Sequence, residues 1–468
     1  MRNIMRNGAY MIQESDKLIA DALKSNKGED YWTFRGDAAK DYVHSMFAYP
    51  AMMVPKMQRE ILETIDEHTR TDAPFAVLDP FMGSGTILVE GMLRGYEKIV
   101  GIDINPLAYL VTKAKTEIYS LRRLKRAIDR LLNGIDNAQV PEIETDFYNI
   151  RKWFRQDVIE DLEKIKGQIQ QEQSLKFRRF MWVSFCDAIR TVSNARPTTY
   201  KLHIKTEEDI RNSNASALEV FKNCIQAAFK GVESFQEELE RRGCLRHCGS
   251  CVSYNGTIDL RLADSMTECE RVCRKYRPNL IITSPPYGDN ETTVAYGQYS
   301  VLELKWIDLQ DIKSDLDESV IQTQSKIDRI SLGGRINRQA CAEYRESLAR
   351  KSPTLAAQIQ DIEQYDRQKV WKVLGFYHDF ETVLSAFESL PSDAYVVMTV
   401  GNRTVARNRI QMNRILAELL ANYGYESSVE FSRRIVQKRM STVNAVDNST
   451  GTTLESMNQE YILIMKKR

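Results

Sequence analysis

The stretch Phe75-Ala76-Val77-Leu78-Asp79-Pro80-Phe81-Met82-Gly83-Ser84-Gly85-Thr86 joins an apolar run to a glycine-rich turn. The apolar residues 87–93 that follow predict a helix, so the segment as a whole predicts strand, turn and helix. Gly83 and Gly85 allow positive φ values and let a ligand approach the backbone closely. Free N–H groups at the start of the helix would face that ligand. The segment is therefore typical of a nucleotide-binding α/β unit.

A second predicted strand, Lys98-Ile99-Val100-Gly101-Ile102-Asp103, follows and ends in an acid. Asp103 lies about 20 residues after Gly83, which is the spacing at which dinucleotide-type folds place a carboxylate on ribose hydroxyls. A glycine loop alone is a weak signal. The acid at the end of the second strand makes the signal much more specific.

Phosphate is the competing ligand for a glycine-rich loop. This loop lacks the Lys-Ser/Thr ending of a phosphate-binding loop, and Asp79 stands at its mouth. A carboxylate at that position would repel a pyrophosphate and attract a cation. The sequence therefore predicts a ribosylated, positively charged ligand. S-adenosyl-L-methionine, which carries an ammonium and a sulfonium, has that character.

A second motif, Thr283-Ser284-Pro285-Pro286-Tyr287, follows the apolar run Leu280-Ile281-Ile282 and predicts a loop at the end of another strand. Proline fixes φ and has no N–H, so the carbonyls around Ser284 and Pro285 are held as acceptors. Tyr287 offers a flat face for stacking. Acceptors beside an aromatic ring suit the exocyclic amine of a nucleobase, although an isolated loop of this kind could equally be a structural turn.

Together, Asp79–Thr86 and Thr283–Tyr287 resemble the motifs of DNA amino-methyltransferases of the N4-cytosine and N6-adenine type, particularly those of restriction-modification systems. A third segment, His44–Pro55, resembles the part of that family that precedes the glycine loop and covers the methionine end of the cofactor. Without the family, this Met-rich segment would be interpreted as packing. The resemblance covers roughly half of the chain.

A fourth segment, Asp259–Ser265, is a short alternating run that ends in an acid just ahead of the second motif's strand. Asp264 and Ser265 match the position where the family recognises the adenine ring of the cofactor. Either residue could also cap a helix that begins near Thr267, and the two roles are compatible.

The resemblance implies an α/β fold, namely a Rossmann-like S-adenosyl-L-methionine-dependent methyltransferase core with helical insertions. The cofactor-binding residues that it implies are Tyr49, Pro50, Ala51, Asp79, Pro80, Phe81, Gly83, Gly85, Thr86, Asp103, Ile104, Asn105, Asp264, Ser265 and Thr283. The catalytic residues that it implies are Ser284, Pro285, Pro286 and Tyr287.

The implied reaction needs a more nucleophilic nitrogen, because the lone pair of an exocyclic amine is delocalised into its ring. The Ser284 hydroxyl and a carbonyl near Pro285 would accept the amine N–H groups and favour a pyramidal nitrogen. The base would first be turned out of the duplex, with Tyr287 stacking on it. In the family, serine at this position accompanies N4-cytosine more often, and aspartate or asparagine accompanies N6-adenine. Ser284 therefore favours cytosine, with adenine as the alternative.

Other reactions fit less well. Methylation of cytosine at ring carbon five needs a cysteine that in that family follows a proline, and none of the eight cysteines here does. Amino-methylation of RNA is an alternative, but Ser284 and the lack of a legible RNA-binding domain count against it. A non-catalytic nucleic-acid-binding subunit is another alternative, and the intact loop Ser284–Tyr287 counts against that.

Composition indicates a globular protein, since 43% of the 468 residues are hydrophobic and 28% are charged, and a chain of this length has a prior of roughly two to four domains. No stretch is long and apolar enough to span a membrane, and Met1–Met5 leads into no signal-like apolar segment. We expect a cytoplasmic protein with no membrane partner.

The formal net charge of +1 gives no global nucleic-acid signature, so DNA affinity must come from local basic patches. Candidates are Arg122–Arg126, Lys176–Arg179 and the region from Arg433 to Arg439. The third follows a predicted strand near Ser428–Phe431 and resembles a basic loop that reaches DNA in related enzymes. Its predicted DNA-binding residues are Arg434, Lys438 and Arg439. The expected partners are double-stranded DNA and a cognate restriction endonuclease.

The cysteines raise the question of a metal. Cys244, His247, Cys248 and Cys251 are close in sequence, but they contain one clean C-x₂-C pair where zinc would need four ligands. Reduced thiols are the favoured interpretation, and no metal site is predicted.

The motif order predicts six segments. They are 1–75 with the cofactor-covering motif; 76–120, the cofactor-binding half of the core; 121–255, an inserted and mostly helical domain for target recognition; 256–305, core with the catalytic loop; 306–370, a second insert as a DNA-facing arm; and 371–468, the C-terminal part of the core. No base-reading motif is legible in either insert, so both stay candidates for reading the target sequence.

Overall fold

The computed structural model describes residues 14–24, 27, 31–34, 41–69, 75–139, 142–249, 251–335, 337–435, 443–445, 453–455 and 459–468. An open seven-stranded sheet lies at its centre. The strands are β1 (Ala76–Asp79), β2 (Lys98–Asp103), β3 (Thr257–Leu262), β4 (Leu280–Thr283), β5 (Tyr395–Gly401), β6 (Tyr425–Arg434) and β7 (Gln459–Lys467).

The strand order across the sheet is β6-β7-β5-β4-β1-β2-β3. All neighbouring pairs are parallel except those of β7, which runs antiparallel between β5 and β6. The order reverses between β1 and β4, so the chain leaves these two strands toward opposite sides. In open α/β sheets, ligands bind in the crevice that such a reversal creates at the carboxyl ends of the strands. This topology confirms the predicted Rossmann-like fold class.

The central strands are buried on both faces, as their continuous apolar runs predict. Side chains alternate between the faces: Val77 and Ile99 belong to one hydrophobic core, and Leu78 and Val100 belong to the other. Helices therefore have to cover both sides of the sheet.

Ten helices lie between Pro55 and Tyr276 of the described chain. They are α1 (Pro55–Thr69), α2 (Thr86–Leu93), α3 (Pro106–Thr116), α4 (Leu121–Asn137), α5 (Ile150–Trp153), α6 (Gln156–Gln170), α7 (Leu175–Val192), α8 (Glu207–Arg211), α9 (Ala217–Arg241) and α10 (Ser265–Tyr276). The first nine, apart from α8, contribute to the first core, and α10 packs on the second face. The remaining helices are α11 (Tyr296–Leu304), α12 (Leu309–Ile312) and α13 (Lys326–Ile330) on the first face, and α14 (Cys341–Lys351), α15 (Pro353–Glu363), α16 (Arg367–Ser385) and α17 (Met412–Ala421) on the second.

Shorter elements complete the described chain. Residues 14–24 are helical, and 3₁₀ turns lie at Tyr31–Thr33, Tyr42–Met46, Glu318–Ile321 and Ala386–Ser389. Two-stranded hairpins pair Leu245–Cys248 with Cys251–Tyr254, Thr404–Val405 with Asn408–Arg409, and Val443–Ala445 with Thr453–Glu455.

The first insert packs on one face of the sheet, and the second insert contributes to both faces. All helices of the first insert except α8 belong to the first core, as do α12 and α13 of the second insert. Helices α14 and α15 of the second insert pack with the second core. Helix α16 runs through the predicted boundary at residue 370 without a break. Both inserts therefore share a core with the sheet, and the six segment limits stay predictions.

One local prediction differs from the structure by a turn or less. The helix expected near Thr267 begins at Ser265, because Asp264 is its N-cap and accepts a hydrogen bond from the Met266 N–H at 3.0 Å. Helix α16 is followed directly by the 3₁₀ turn Ala386–Ser389. Among the described residues, no helix combines the length and apolarity that crossing a membrane requires.

The second basic patch, Lys176–Arg179, forms ion pairs and hydrogen bonds that connect α7 to neighbouring segments. The Arg178 guanidinium binds the Asp311 carboxylate through two hydrogen bonds of 2.7 and 2.8 Å, and the Trp182 indole N–H donates to the same carboxylate at 2.8 Å. Lys176 pairs with Glu117 at 3.0 Å. These cations fasten α7 to its neighbours, so the hypothesis that the patch is a free DNA-binding surface is wrong for Arg178 and Lys176.

We expect Asp311→Ala to lower the free energy of unfolding by roughly 2 kcal/mol, because it leaves a largely buried guanidinium and an indole N–H without their acceptor. The thermal midpoint, followed by circular dichroism at 222 nm, should fall accordingly. Asp129→Ala is the matched control, since Asp129 forms an exposed ion pair with Lys125 and should leave the midpoint unchanged. Equal midpoints for both variants would contradict the role given to Asp311.

Candidate active site

A cavity of about 830 Å³, including its open mouth, lies at the carboxyl edge of the sheet beside the reversal in strand order. Its wall is formed by Tyr49, Pro50, Ala51, Met52, Met53, Phe81, Met82, Gly83, Ser84, Thr86, Asp103, Ile104, Asn105, Asp264, Ser265, Ser284, Pro286, Asn290, Tyr296, Ile327, Ser331 and Leu332. The cavity thus brings together residues that are more than 200 positions apart in sequence.

The glycine loop after β1 forms one side of the cavity. Gly83 and Gly85 have φ values of +49° and +76°, which favour glycine. A Cβ atom on Gly85 would lie 2.7 Å from Cγ2 of Thr112, so no larger residue fits there. The Thr112 hydroxyl donates to the Gly83 carbonyl at 2.9 Å. Helix α3 thereby fixes the loop in the shape that faces the cavity.

Asp79 ends β1 directly beneath this loop and is fully buried. Its Oδ1 atom accepts hydrogen bonds from the Phe81 N–H at 3.0 Å and from the Thr283 hydroxyl at 2.6 Å. Its Oδ2 atom has no hydrogen-bond partner among the described residues. Burial raises the pKa of Asp79 to about 7. A buried carboxylate oxygen without a donor suits a positively charged ligand group such as an ammonium.

Asp103 ends β2 on the opposite side of the loop. Its two oxygens accept hydrogen bonds from the Gly83 N–H at 2.9 Å and from the Asn105 N–H at 2.8 Å. Burial raises the pKa of Asp103 to about 6, against these backbone hydrogen bonds, which lower it. A carboxylate oxygen has room for further donors, so Asp103 can still accept from a hydroxyl in the cavity.

Asn105 acts mainly through its neighbours. Its Oδ1 atom caps α3 by accepting from the Leu107 N–H at 3.0 Å. Its amide nitrogen donates to the Tyr49 hydroxyl at 3.0 Å and to the Ser300 hydroxyl at 2.8 Å. All of its polar atoms are therefore used within the protein, and Asn105 holds Tyr49 in place.

The segment that contains Tyr49, Pro50 and Ala51 closes one end of the cavity. The Tyr49 ring stacks on Tyr296 with the ring centres 5.9 Å apart. Ala51 has a φ of +47°, a backbone conformation that alanine rarely adopts. This segment is held by aromatic contacts as well as by the hydrogen bond from Asn105.

Asp264 and Ser265 connect the third strand to the cavity. Asp264 caps α10, and burial raises its pKa. The Ser265 hydroxyl donates to the Pro80 carbonyl, which ties the start of α10 to the glycine loop. Both residues line the cavity, but the Ser265 hydroxyl already has an acceptor within the protein.

The proline-rich loop after β4 forms the other side. The Ser284 hydroxyl oxygen lies 3.3 Å from the Tyr287 hydroxyl oxygen, and the Tyr287 hydroxyl donates to Oε1 of Glu460 at 3.0 Å. Oε2 of Glu460 accepts from the Arg433 guanidinium at 2.8 Å. Burial, with the nearby Glu460 carboxylate, holds the pKa of Tyr287 well above its usual range. Tyr287 is therefore a neutral, hydrogen-bonded phenol.

The structure brings most of the predicted site residues together. Thirteen of them line the cavity, namely Tyr49, Pro50, Ala51, Phe81, Gly83, Thr86, Asp103, Ile104, Asn105, Asp264, Ser265, Ser284 and Pro286. Asp79, Pro80, Gly85, Thr283, Pro285 and Tyr287 lie outside the wall among the residues that support it. The Tyr287 hydroxyl is bound to Glu460, and stacking of its ring on a base stays a prediction.

Sequence reasoning missed two polar residues near the loop. Asn290 lines the cavity, and its buried Oδ1 atom has no hydrogen-bond partner among the described residues. Its position three residues after Tyr287 was the available signal. Glu460 had no local signal, because it follows Tyr287 by 173 residues and meets it through the pairing of β7 with β5.

The predicted DNA-binding residues lie near the end of β6. Arg434 is exposed, whereas Lys438 and Arg439 lie outside the described residues. Arg433 of the same patch is buried against Glu460, so it faces the site and not the solvent. Exposure alternates along a strand, which explains why two adjacent arginines differ.

Among the described residues, no group of three or more histidine, cysteine, aspartate or glutamate side chains is placed to hold a metal. Cys248 and Cys251 are exposed partners at the end of a hairpin, and Cys244 is buried. His247 pairs with Glu240 at 2.9 Å. Cys269 and Cys273 are buried on α10.

Comparison with known proteins identifies the family. No family model matches the chain. The chain is similar to the type II methyltransferase M.MvaI of Kocuria varians, with 31% identity over 467 residues that cover 97% of this chain and 98% of that protein. The chain belongs to the type II methyltransferases.

Two further similarities are weaker. The methyltransferase is 33% identical to the type II methyltransferase M.MjaII of Methanocaldococcus jannaschii over 92 residues, which cover 20% of this chain and 16% of that one. A solved structure of the rRNA methyltransferase aviRa from Streptomyces viridochromogenes covers 90% of this chain and 89% of its own, with 11% identity and a TM-score of 0.31.

Family membership makes this protein an S-adenosyl-L-methionine-dependent DNA methyltransferase of the restriction-modification type, and it confirms the predicted cofactor. The residues present fit that cofactor. The unpaired Oδ2 of Asp79 suits its ammonium, and the hydroxyl of Ser84, which lines the cavity, is also buried without a partner among the described residues.

We expect cofactor affinity to fall as the pH drops below about 7. The pKa of Asp79 is raised to about 7, so the carboxylate is charged above that value and loses its attraction for an ammonium below it. Asp79→Asn should bind S-adenosyl-L-methionine roughly tenfold more weakly at pH 8, the loss of about one favourable charge contact. Calorimetric titrations from pH 5.5 to 8.5 measure both effects.

Thr283→Val is the matched variant for this test. The Thr283 hydroxyl lowers the pKa of Asp79, so its removal should move the midpoint of the affinity profile to higher pH. The raised pKa of Asp103, about 6, should leave a smaller dependence near pH 6 in every variant. An Asp79→Asn protein with the affinity and pH profile of the wild type would show that Asp79 does not meet the ammonium.

Proposed function

We propose that this methyltransferase transfers a methyl group from S-adenosyl-L-methionine to the exocyclic N4 amine of a cytosine turned out of double-stranded DNA. The observation that carries the proposal is the position of Ser284. This residue opens the proline-rich loop and lines the same cavity as the glycine loop. Its hydroxyl oxygen can therefore meet a base amine beside the cofactor.

The cofactor would be held by residues of three strand ends. Asp79 would accept from its ammonium, Asp103 from its ribose hydroxyls and Asp264 from its adenine amine, with the Gly83 loop against its backbone. When bound, the cofactor supplies an electrophilic methyl group on a sulfonium. The segment around Tyr49 would cover the methionine end.

Ser284 and the Pro285 carbonyl would orient the target amine. By accepting its two N–H groups, they favour a nitrogen whose lone pair points out of the ring plane. The amine nitrogen would bond to the methyl carbon that the cofactor supplies as the bond from that carbon to sulfur breaks, leaving S-adenosyl-L-homocysteine, and the nitrogen would release one proton to solvent. The loop supplies acceptors that do not move during the reaction, because the two prolines fix the backbone.

Cytosine is favoured over adenine by Ser284. In the amino-methyltransferases that this loop resembles, serine at the first position accompanies N4-cytosine more often, and aspartate or asparagine accompanies N6-adenine. A hydroxyl and a carboxylate can both accept an amine proton, so N6-adenine is the second candidate for the same residues.

DNA would approach over the hairpin that follows β5. Arg403 donates to the Thr292 hydroxyl at 2.8 Å, and a Cβ atom on Gly288 would lie 2.1 Å from its guanidinium carbon. Gly288 thus lets Arg403 lie across the catalytic loop. Arg407 and Arg409 on the same hairpin are exposed. Exposed arginines on the hairpin that Arg403 precedes suit the phosphate backbone of a duplex.

The wider setting follows from the family. We propose that the methyltransferase protects DNA against a cognate restriction endonuclease, and that both act in the cytoplasm, where the DNA lies. The endonuclease would share its recognition sequence.

Methyl transfer to plasmid DNA and to total RNA, followed by nucleoside mass spectrometry, tests the proposal. We expect N4-methylcytosine in DNA with the wild type. Ser284→Ala should reduce the rate roughly 10²- to 10³-fold, the loss typical for one group that stabilises the transition state. N6-methyladenine as the product would leave the proposed residue roles unchanged and show that the target base is adenine. Label in RNA alone would overturn the DNA substrate.

The hairpin arginines allow a separate prediction on DNA affinity. Arg407→Ala with Arg409→Ala should weaken duplex binding and reduce the slope of log K against log salt by roughly one for each arginine lost. Fluorescence anisotropy of a labelled duplex across a salt series measures this slope. The same double change at the exposed Arg122 and Arg123 of α4 tests the other candidate patch. A changed slope there, and an unchanged slope at the hairpin, would move the DNA to that face.

A further inference from the structure

Four polar side chains form a hydrogen-bonded series that leads from the catalytic loop into the sheet. Ser284 contacts Tyr287, Tyr287 donates to Glu460, and Glu460 binds Arg433. The Glu460 and Arg433 side chains are 14% and 9% exposed, so solvent competes little for these contacts. They come from β7 and β6, which pair antiparallel with Arg433 opposite Glu460.

The chemistry of the groups fixes the direction of this series. An ionised carboxylate accepts hydrogen bonds and cannot donate them, so the Tyr287 hydroxyl must donate to Glu460. The Tyr287 oxygen can then act only as an acceptor toward Ser284. The Ser284 hydrogen consequently points at Tyr287, and the lone pairs of the Ser284 oxygen are left for the cavity.

We propose that Glu460 is a positioning residue for methyl transfer, which makes Ser284 an acceptor for the target amine by fixing the direction of the Ser284–Tyr287–Glu460 hydrogen bonds. Arg433 keeps Glu460 in place through its guanidinium contacts with Oε2. This inference rests on the proposed function, because it concerns the acceptor that an amine substrate needs. A serine hydroxyl can rotate to donate or accept, and the carboxylate removes that ambiguity.

Glu460→Gln is the informative substitution because it keeps the shape of the side chain and reverses the direction of the hydrogen bonds between it, Tyr287 and Ser284. Arg433 can donate only, so it would take the glutamine oxygen and turn the amide N–H₂ toward Tyr287. The Tyr287 hydroxyl would then donate to Ser284, and the Ser284 hydrogen would turn into the cavity against the amine N–H groups. We expect the single-turnover rate to fall roughly 10- to 100-fold, at most the loss of one acceptor. Affinities for cofactor and DNA should stay within about twofold.

Tyr287→Phe provides the test that a merely structural role would not pass. Without the tyrosine hydroxyl, Glu460 no longer acts on Ser284, so Glu460→Gln should have no further effect in the Tyr287→Phe background. Additive rate losses in this double-mutant cycle would overturn the proposal. An unchanged rate for Glu460→Gln in the wild-type background would also overturn it. Glu430→Gln on β6, where the carboxylate accepts from Asn413, is the matched control and should keep the wild-type rate.

Thermal melts show whether each variant folds. If Glu460→Gln does not fold, the cycle of Ser284→Ala with Tyr287→Phe replaces it. There the proposal requires that Tyr287→Phe costs rate in the wild type and nothing in Ser284→Ala, and equal losses in both would overturn it. Analysis of the methylated product distinguishes a failure of the proposed methyl transfer from a failure of the role proposed for Glu460. A wild type that forms no N-methylated base overturns the proposed function and this proposal with it, whereas methylation with an additive cycle overturns this proposal alone.

Discussion

The hydrogen bond from Thr283 to Asp79 joins the two loops on which the site depends. The bond spans the point where the strand order reverses, with β1 and β4 side by side. Because both residues end their strands, the loops that follow start from one fixed pair of positions and part from there. The glycine loop and the proline-rich loop thus face each other across the cavity, and each begins directly at the end of a strand. The rest of the site is arranged around this contact.

The acids of the site are held in an energetically costly state. Asp79 is buried and Asp103 is half-buried, and the loss of water raises the pKa of both carboxyls, against the hydrogen bonds that the protein's own donors supply. Asp79 keeps an oxygen without a partner among the described residues. A ligand that donates hydrogen bonds to such an oxygen stabilises the buried carboxylate. Part of the cofactor's binding energy therefore comes from hydrogen bonds that the protein alone does not make. The Glu460–Arg433 pair is the opposite case, since each charge has its partner within the protein.

Local chemistry in the sequence was sufficient for the fold class and for much of the cavity wall. Residues such as Gly83 and Asp103 can be predicted from the sequence because their roles need a particular residue type at a particular strand end. Glu460, which accepts a hydrogen bond from the Tyr287 hydroxyl, could not be predicted from the sequence, since only the pairing of distant strands brings it near. Basic residues were the least predictable. Arg178 and Arg434 look alike in sequence, and their exposure is decided by tertiary packing, which a single sequence does not express.

Strand β7 gives the catalytic loop a dependence on the order of synthesis. It lies between β5 and β6 and pairs with both, so these two strands cannot join one continuous sheet before it arrives. Its Glu460 also completes the hydrogen bonds of Tyr287. When the cofactor half and both inserts have been synthesised, Glu460, which orients Ser284, has not yet been added to the chain. Catalytic competence would therefore appear late and in one step, as a long-range and slow closure of the sheet, and not gradually as the chain emerges.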